Sequence, residues 1–162
     1  MAEIAHAFGM KVIVNTAHPE KYSDSAASFM SLDEMLPKCD FVTVHCPLTP
    51  QTDKLVNADF VAKMKDGAFL INTSRGAELD EHAVADALNS GKLAGAGLDV
   101  LTTEPPLADN PLLKAKNAWI TPHIAWAPFE TRKRLLGVTE ENIKAFCDGA
   151  PVNVVNHPSV IK

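Results

Sequence analysis

The segment AFLINTSRGAELDEHAVADALNSGKLAGAGLDV, residues 68–100, contains a strand–helix–strand pattern. Ala68 to Asn72 is a short apolar run, typical of a buried strand. Asp80 is suited to cap a helix that ends at Asn89-Ser90-Gly91, and a second apolar run extends from Leu93 to Val100. Strands separated by helices form βαβ units, so the segment predicts an α/β fold with a parallel sheet.

The same alternation continues on both sides of this segment, and we expect strands that are buried on both faces. We interpret residues 1–126 as one domain and residues 127–162 as a C-terminal helix and tail. The further strands are predicted at Met10 to Val14, Phe41 to His45 and Ala118 to Thr121. The further helices are predicted at Met1 to Phe8 before Gly9, from the capping box Ser31-Leu32-Asp33-Glu34 to near Pro37, from the cap Asn57 to about Met64, and from Pro128 to near Gly149-Ala150-Pro151.

Charge and composition restrict the class of protein. There are 15 Lys and Arg against 20 Asp and Glu, a formal net charge of −5 with neutral histidines. Nucleic-acid and membrane-surface binding depend on clustered positive charge, which argues against both partners. A content of 46% hydrophobic and 22% charged residues is typical of a globular domain.

The sequence shows neither of the two patterns expected for membrane insertion or secretion. No apolar run approaches the roughly 18 residues that span a bilayer, and a signal-peptide layout is absent from the N-terminus. Cys39, Cys46 and Cys147 lie far apart without a C-x-x-C spacing. We therefore expect a cytoplasmic protein with reduced thiols.

Polar side chains follow the predicted strands where, in an open parallel sheet, the ligand crevice lies. Arg75 follows one strand, Glu104 another, and His123 the last. A guanidinium binds a carboxylate through two hydrogen bonds, and an imidazole held by a carboxylate transfers a proton near neutral pH. Reduction of a 2-keto acid needs both functions, and its hydride has to come from a cofactor.

Each of these residues also has a simpler interpretation. Arg75 could form a surface ion pair, Glu104 could be an ordinary loop residue, and His123 could be a structural histidine. All three interpretations together would require a coincidence at one edge of the sheet. Cys46 beside His45 suggests a metal or thiolate site, but neighbouring strand residues point to opposite faces, so we predict no metal site.

Five motifs in this order resemble the D-isomer-specific 2-hydroxyacid dehydrogenase family. The chain's ending, Pro151 to Asn156, and the run His123 to Ala127 are most similar to the glycerate dehydrogenase and hydroxypyruvate reductase branch of that family. The motifs are His45-Cys46-Pro47-Leu48-Thr49-Pro50-Gln51-Thr52, Ile71-Asn72-Thr73-Ser74-Arg75-Gly76, Gly95-Ala96-Gly97-Leu98-Asp99-Val100, Glu104-Pro105-Pro106 and Thr121-Pro122-His123-Ile124-Ala125-Trp126.

The resemblance implies a Rossmann-type, doubly wound parallel sheet that binds NAD or NADP and acts on a small D-2-hydroxy acid or 2-keto acid, such as glycerate or hydroxypyruvate. It implies that Arg75 binds the substrate, that Glu104 orients an imidazole and raises its pKa, and that His123 is the acid or base. It also implies a homodimer in the full-length form. The residues implied around the cofactor are Cys46, Pro47, Thr52, Thr73, Ser74, Arg75, Asp99, His123 and Ala125, with Asp99 near the nicotinamide.

The phosphate-binding end of such a domain departs from the family pattern. The G-x-G-x-x-G turn should lie just before Met1, whereas the only glycine among the first thirty residues is Gly9. We therefore expect an N-terminally truncated chain that lacks this turn and the first strand. That strand would lie between the strands at Met10 to Val14 and Phe41 to His45. Residues 127–162 would return toward an absent substrate domain.

The choice between NAD and NADP stays open. The position that often holds an acidic residue, at the end of the strand after the glycine turn, holds Asn15-Thr16. Thr16 is suited to hydrogen-bond a ribose hydroxyl, and His18 and Lys21 offer positive charge nearby. The alternatives to a dehydrogenase are a non-catalytic protein-interaction module and an inactive fragment of the same family.

Overall fold

The computed structural model describes residues 1–22 and 27–155. Strands and helices alternate along the chain, with short 3-10 turns between several of them. The strands are β1 Ile13–Val14, β2 Ser28–Phe29, β3 Phe41–Val44, β4 Ala68–Asn72, β5 Leu93–Leu98 and β6 Ala118–Ile120; the helices are α1 Ala2–Ala7, α2 Leu32–Met35, α3 Ala58–Lys63, α4 Glu81–Ser90 and α5 Phe129–Cys147; the 3-10 turns are Pro19–Tyr22, Leu36–Lys38, Gly76–Glu78 and Pro111–Lys114.

The main sheet has four parallel strands in the order β3-β4-β5-β6, which confirms the α/β, Rossmann-like fold. A separate pair, β1 and β2, is also parallel. The predicted strand at Met10 to Val14 is shorter than expected, and β2 was not predicted. Both strands of this pair have only two residues, too few to give a hydrophobic period.

The signals at the ends of the predicted helices are confirmed in detail. Ser31 forms a capping box with Glu34 at the start of α2. Asn57 accepts a hydrogen bond from the Phe60 N–H, and Asp80 accepts two from the first turn of α4. Gly91 ends α4 in the left-handed region, with φ +83°.

One face of the main sheet carries the core, and the other carries exposed aromatic rings. Alternate residues such as Val42 and Leu70 are buried with apolar side chains of α3 and α4. On the opposite face, Phe41 stacks on Phe69 with ring centroids 5.2 Å apart. Phe41 is 57% exposed and Trp119 is 59% exposed. The prediction that the strands are buried on both faces is therefore wrong for the edge strands β3 and β6. Among the described residues, each of these two strands is covered on one face only.

The chain divides into two compact units, Met1–Pro122 and the residues from His123 onward. The second unit contains α5, none of whose residues is buried, and Leu136 and Phe146 on it are among the exposed apolar side chains. The C-terminal motif residue Asn156 lies outside the described residues. Within residues 1–22 and 27–155, no helix is both long and apolar enough to cross a bilayer.

We expect the 162-residue chain, studied by itself, to self-associate or to be partly unfolded. Among the described residues β3 pairs only with β4, and β1 only with β2, so each presents an unpaired strand edge. Such edges, beside exposed Phe41, favour pairing between chains. Sedimentation velocity measures the association of the chain, and thermal melts measure whether it unfolds in one sharp transition. Phe41→Lys should reduce association, and a monomeric parent chain with one sharp transition would contradict the prediction.

Candidate active site

The turn after β4 carries Arg75, and a buried asparagine holds it. Asn72 is the last residue of β4 and is fully buried. Its Oδ1 accepts the Ser74 N–H at 2.9 Å, and its Nδ2 donates to the Arg75 carbonyl oxygen at 2.9 Å. Thr73 lies in the same turn and is exposed. The backbone around Arg75 is thereby fixed to the end of a central strand.

The Arg75 side chain is exposed, and its Nη1 donates to the Ser74 carbonyl oxygen at 2.7 Å. This hydrogen bond fixes one end of the guanidinium close to the turn. A guanidinium carries five N–H donors in a planar fork, so further donors stay available for an anionic ligand. The position at the carboxyl end of β4 agrees with the predicted ligand crevice.

Glu78 connects this turn to the loop after β3, and its side chain is fully buried. Its Oε2 accepts the Arg75 N–H at 3.2 Å. Its Oε1 accepts from Ser74 Oγ at 3.2 Å and from Cys46 Sγ at 3.6 Å. Ser74 Oγ also donates to the Cys46 carbonyl oxygen at 2.7 Å. The structure thus brings together three of the residues predicted around the cofactor, through a glutamate that the sequence analysis did not identify.

The Cys46 loop is further held by its own hydroxyl groups. Thr52 Oγ1 donates to the Pro47 carbonyl oxygen at 2.7 Å and accepts the Thr49 N–H at 2.7 Å. The predicted cofactor residues Cys46, Pro47 and Thr52 therefore lie in one compact loop. Within this loop, the Thr52 hydroxyl stabilises the backbone.

Burial raises the pKa of the Cys46 thiol, and the nearby Glu78 carboxylate raises it further through its charge and its hydrogen bond. A raised pKa leaves little thiolate at neutral pH, and the thiolate is the reactive form. Cys46 therefore does not have the environment of an activated nucleophile. Among the described residues, no group of three or more His, Cys, Asp or Glu side chains is placed to hold a metal ion.

Iodoacetamide at neutral pH should label exposed Cys147 faster than Cys46, because Cys46 is partly buried and its pKa is raised. Peptide mass spectrometry over a time course measures both rates in the same sample. In urea the two rates should converge, which serves as the control. Equal labelling rates in the folded protein would contradict this prediction.

The loop after β5 carries Glu104 and packs directly against the arginine turn. A Cβ atom at position 76 would overlap the backbone of Leu101 and Thr102, so only glycine allows this approach. The Leu101 N–H donates to Glu104 Oε1 at 3.1 Å. The turn that carries Arg75 and the loop that carries Glu104 are therefore neighbours in the fold.

Glu81, which the sequence analysis also missed, secures the Glu104 loop to α4. Its Oε1 accepts the Thr102 N–H at 2.9 Å. Its Oε2 accepts from Asn110 Nδ2 at 2.9 Å, and Asn110 is itself buried. Both ends of the loop are thus bound to the first turn of one helix.

Asp99 lies at the end of β5 and is buried, with 4% of its surface exposed. Its N–H donates to the Asn72 carbonyl oxygen at 2.9 Å, and Thr121 Oγ1 donates to its carboxylate. A buried carboxylate is a strong acceptor for an amide N–H. The Asp99 carboxylate therefore has the chemistry of an acceptor for an amide N–H, such as that of a carboxamide.

The remaining predicted residues lie elsewhere in the chain. Thr16 follows β1 in the separate strand pair, and its Oγ1 accepts the His18 N–H at 3.2 Å. His123 and Ala125 belong to the second unit. The His123 backbone has φ +52°, a left-handed conformation that is uncommon for residues other than glycine and more frequent for His, Asn and Asp.

Comparison with known proteins gives a consistent set of matches. The sequence model described as D-isomer specific 2-hydroxyacid dehydrogenase, NAD binding domain, matches residues 1–125. Hydroxypyruvate reductase of Blautia hydrogenotrophica is 50% identical over 155 residues, covering 95% of this chain and 48% of that protein. Glycerate dehydrogenase of Methylorubrum extorquens is 40% identical over 157 residues, covering 96% of this chain and 48% of that protein.

Among solved structures, D-lactate dehydrogenase of Aquifex aeolicus, complexed with NAD and lactic acid, matches with a TM-score of 0.80 and 34% identity. The match covers 92% of this chain and 50% of that chain. The chain spans about half the length of the curated relatives that it matches.

Proposed function

Because the chain belongs to the D-isomer-specific 2-hydroxyacid dehydrogenase family, as the motifs predicted, we propose that the protein interconverts a small 2-keto acid and the corresponding D-2-hydroxy acid. The names of the relatives, hydroxypyruvate reductase and glycerate dehydrogenase, favour a three-carbon hydroxylated substrate. The matched region is an NAD-binding domain, and a nicotinamide cofactor bound there would supply or accept the hydride.

The proposal depends most on the arginine turn. Arg75 is exposed at the carboxyl end of β4, on a backbone that Asn72 and Glu78 hold from within the core. We assign its guanidinium to the substrate carboxylate, which it would bind through two parallel hydrogen bonds. This binding would orient the adjacent carbonyl group for reaction.

We assign the proton transfer to His123, oriented by Glu104. His123 would give its proton to the carbonyl oxygen during reduction and take it back during oxidation. Glu104 would hold the imidazole through a hydrogen bond and raise its pKa by favouring the charged form. The support for these roles is the family pattern together with the fixed Glu104 loop, whose backbone is bound by Glu81.

Several residues at the strand ends would hold the cofactor. Asp99 is suited to accept from the nicotinamide carboxamide, and the Cys46-Pro47 loop and the turn at Thr73-Ser74 would lie beside it. Thr16, at the end of β1, is suited to a ribose hydroxyl and has no negative charge that would repel a 2′-phosphate. The domain is therefore compatible with both NAD and NADP.

A spectrophotometric assay tests the proposed function. The purified protein, expressed from its natural gene, should oxidise NADH or NADPH only when hydroxypyruvate, glyoxylate or another small 2-keto acid is added. Comparing the rates with NADH and NADPH at equal concentration shows which cofactor is preferred at the site of Thr16. Folded protein without turnover of any such acid would instead favour the non-catalytic or inactive alternatives.

The oligomeric state and the location of the protein need separate experiments. Light scattering on the same preparation tests the proposed homodimer, and cell fractionation tests the proposed cytoplasmic location.

A further inference from the structure

Glu78 is a buried acidic residue to which the proposed reaction assigns no role. Its carboxylate accepts a backbone N–H from Arg75, a hydroxyl of Ser74 and the thiol of Cys46. Three donors from two loops thus converge on one fully buried side chain. A buried carboxylate is costly to desolvate, and an apolar residue is often at least as stabilising in such a place.

The backbone of Glu78 is itself held by a third segment. The Lys54 N–H donates to the Ala77 carbonyl oxygen at 2.8 Å, and the Val56 N–H donates to the Glu78 carbonyl oxygen at 2.9 Å. The Asp80 N–H in turn donates to the Val56 carbonyl oxygen at 3.0 Å. These hydrogen bonds hold the backbone of Glu78 in place. The Glu78 carboxylate, through its own hydrogen bond, in turn holds the Arg75 N–H.

We propose that Glu78 is a positioning residue for Arg75: its carboxylate fixes the Arg75 backbone so that the guanidinium is presented to the substrate carboxylate. This inference rests on the proposed function of Arg75. Glu78 touches neither substrate nor cofactor in this role and acts only through the turn.

The hydrogen bonds predict which substitutions preserve this role. Glu78→Gln keeps one oxygen that can accept the Arg75 N–H, and its amide N–H can donate to the Ser74 hydroxyl oxygen, because that hydroxyl also donates to Cys46. Glu78→Leu leaves the Arg75 N–H and the Cys46 thiol without this acceptor. Glu78→Asp is one methylene shorter, so its carboxylate is withdrawn from the Arg75 N–H.

Amide hydrogen exchange measured by NMR tests the positioning without any need for activity. In the enzyme expressed from its natural gene, Glu78→Leu should make the Arg75 amide exchange at least about tenfold faster than in the parent enzyme, since this amide loses its acceptor. Glu78→Gln should restore the slow rate. The Phe60 amide in α3, which donates to Oδ1 of the cap residue Asn57, is the internal control and its exchange rate should not change.

Two further variants keep the exchange experiment decisive if Glu78→Leu does not fold or is only destabilised in general. If Glu78→Leu does not fold, Glu78→Asp takes its place, with the same expected direction. Val84→Ala removes apolar volume from a fully buried site on α4 and controls for general destabilisation. An Arg75 amide that exchanges at the parent rate in the folded Leu or Asp variant, or equally fast in Val84→Ala, would overturn the proposal.

Steady-state kinetics of the enzyme expressed from its natural gene test the consequence for the reaction. Glu78→Leu should raise the KM for the keto acid about tenfold, and more than the KM for the cofactor, because Ser74 still binds the Cys46 carbonyl. In the Arg75→Lys background, Glu78→Leu should cause little further increase, because both changes act on the same contact. Additive effects on KM would overturn the proposal. A parent enzyme without keto-acid turnover would contradict the proposed function alone, and the exchange experiment would still decide the role of Glu78.

Discussion

We expect His123→Asn to lower the rate of hydride transfer by about 100- to 10,000-fold, the usual contribution of a general acid or base. Asparagine tolerates the left-handed backbone that His123 adopts at φ +52°, so the substitution removes the proton donor with little backbone strain. Affinity for the cofactor should change little. Stopped-flow measurement of cofactor absorbance in a single turnover gives the rate of the chemical step.

The matched control is His82→Asn, which makes the same chemical change at an exposed position on α4. This control should keep the parent rate. A hydride-transfer step that stays at the parent rate in His123→Asn would refute the assignment of His123 as the acid or base.

Arg75→Lys should raise the KM for the keto acid about 10- to 100-fold, since a hydrogen bond to a charged group contributes roughly 1.5–3 kcal/mol. Lysine keeps the positive charge but lacks the planar fork that binds both oxygens of a carboxylate. If Arg75 binds the substrate equally well before and during the reaction, kcat should fall much less than KM rises. Initial rates over a range of keto-acid concentrations separate the two constants.

Arg134→Lys is the control for this substitution, because Arg134 lies on exposed α5 and its Nη2 donates to Thr131 Oγ1 at 3.2 Å. Its KM should equal that of the parent. An unchanged KM in Arg75→Lys would refute the assignment of Arg75 to the substrate carboxylate.

Local signals predicted most of the fold correctly. The caps Ser31, Asn57 and Asp80 and the terminal Gly91 act within a few residues of their own helix, so their effect is readable from the chain itself. The apolar run Ala68–Asn72 likewise agrees with β4 at both ends. The positions of Arg75 and Glu104 after their strands followed from this topology.

Contacts between distant segments could not be predicted in this way. Glu78 follows Gly-Ala in a loop and has the pattern of a solvated charge, yet it is buried because the Cys46 loop, 32 positions earlier, packs over it. The exposure of Phe41 and Trp119 also could not be predicted from a short apolar run. It depends on what packs against the face of the sheet that carries these two side chains. Burial of this kind belongs to tertiary structure, not to local pattern.

The close approach of Gly76 to Leu101 and Thr102 affects how substrate would be bound. Because the two backbones are in direct contact, the packing restricts displacement of the arginine turn relative to the loop of Glu104. The conformational entropy of aligning these segments is therefore lost once, when the chain folds, and not at each encounter with substrate. In the role proposed for Arg75, such preorganisation would leave more of its interaction energy with the substrate available for affinity and for orienting the carbonyl group.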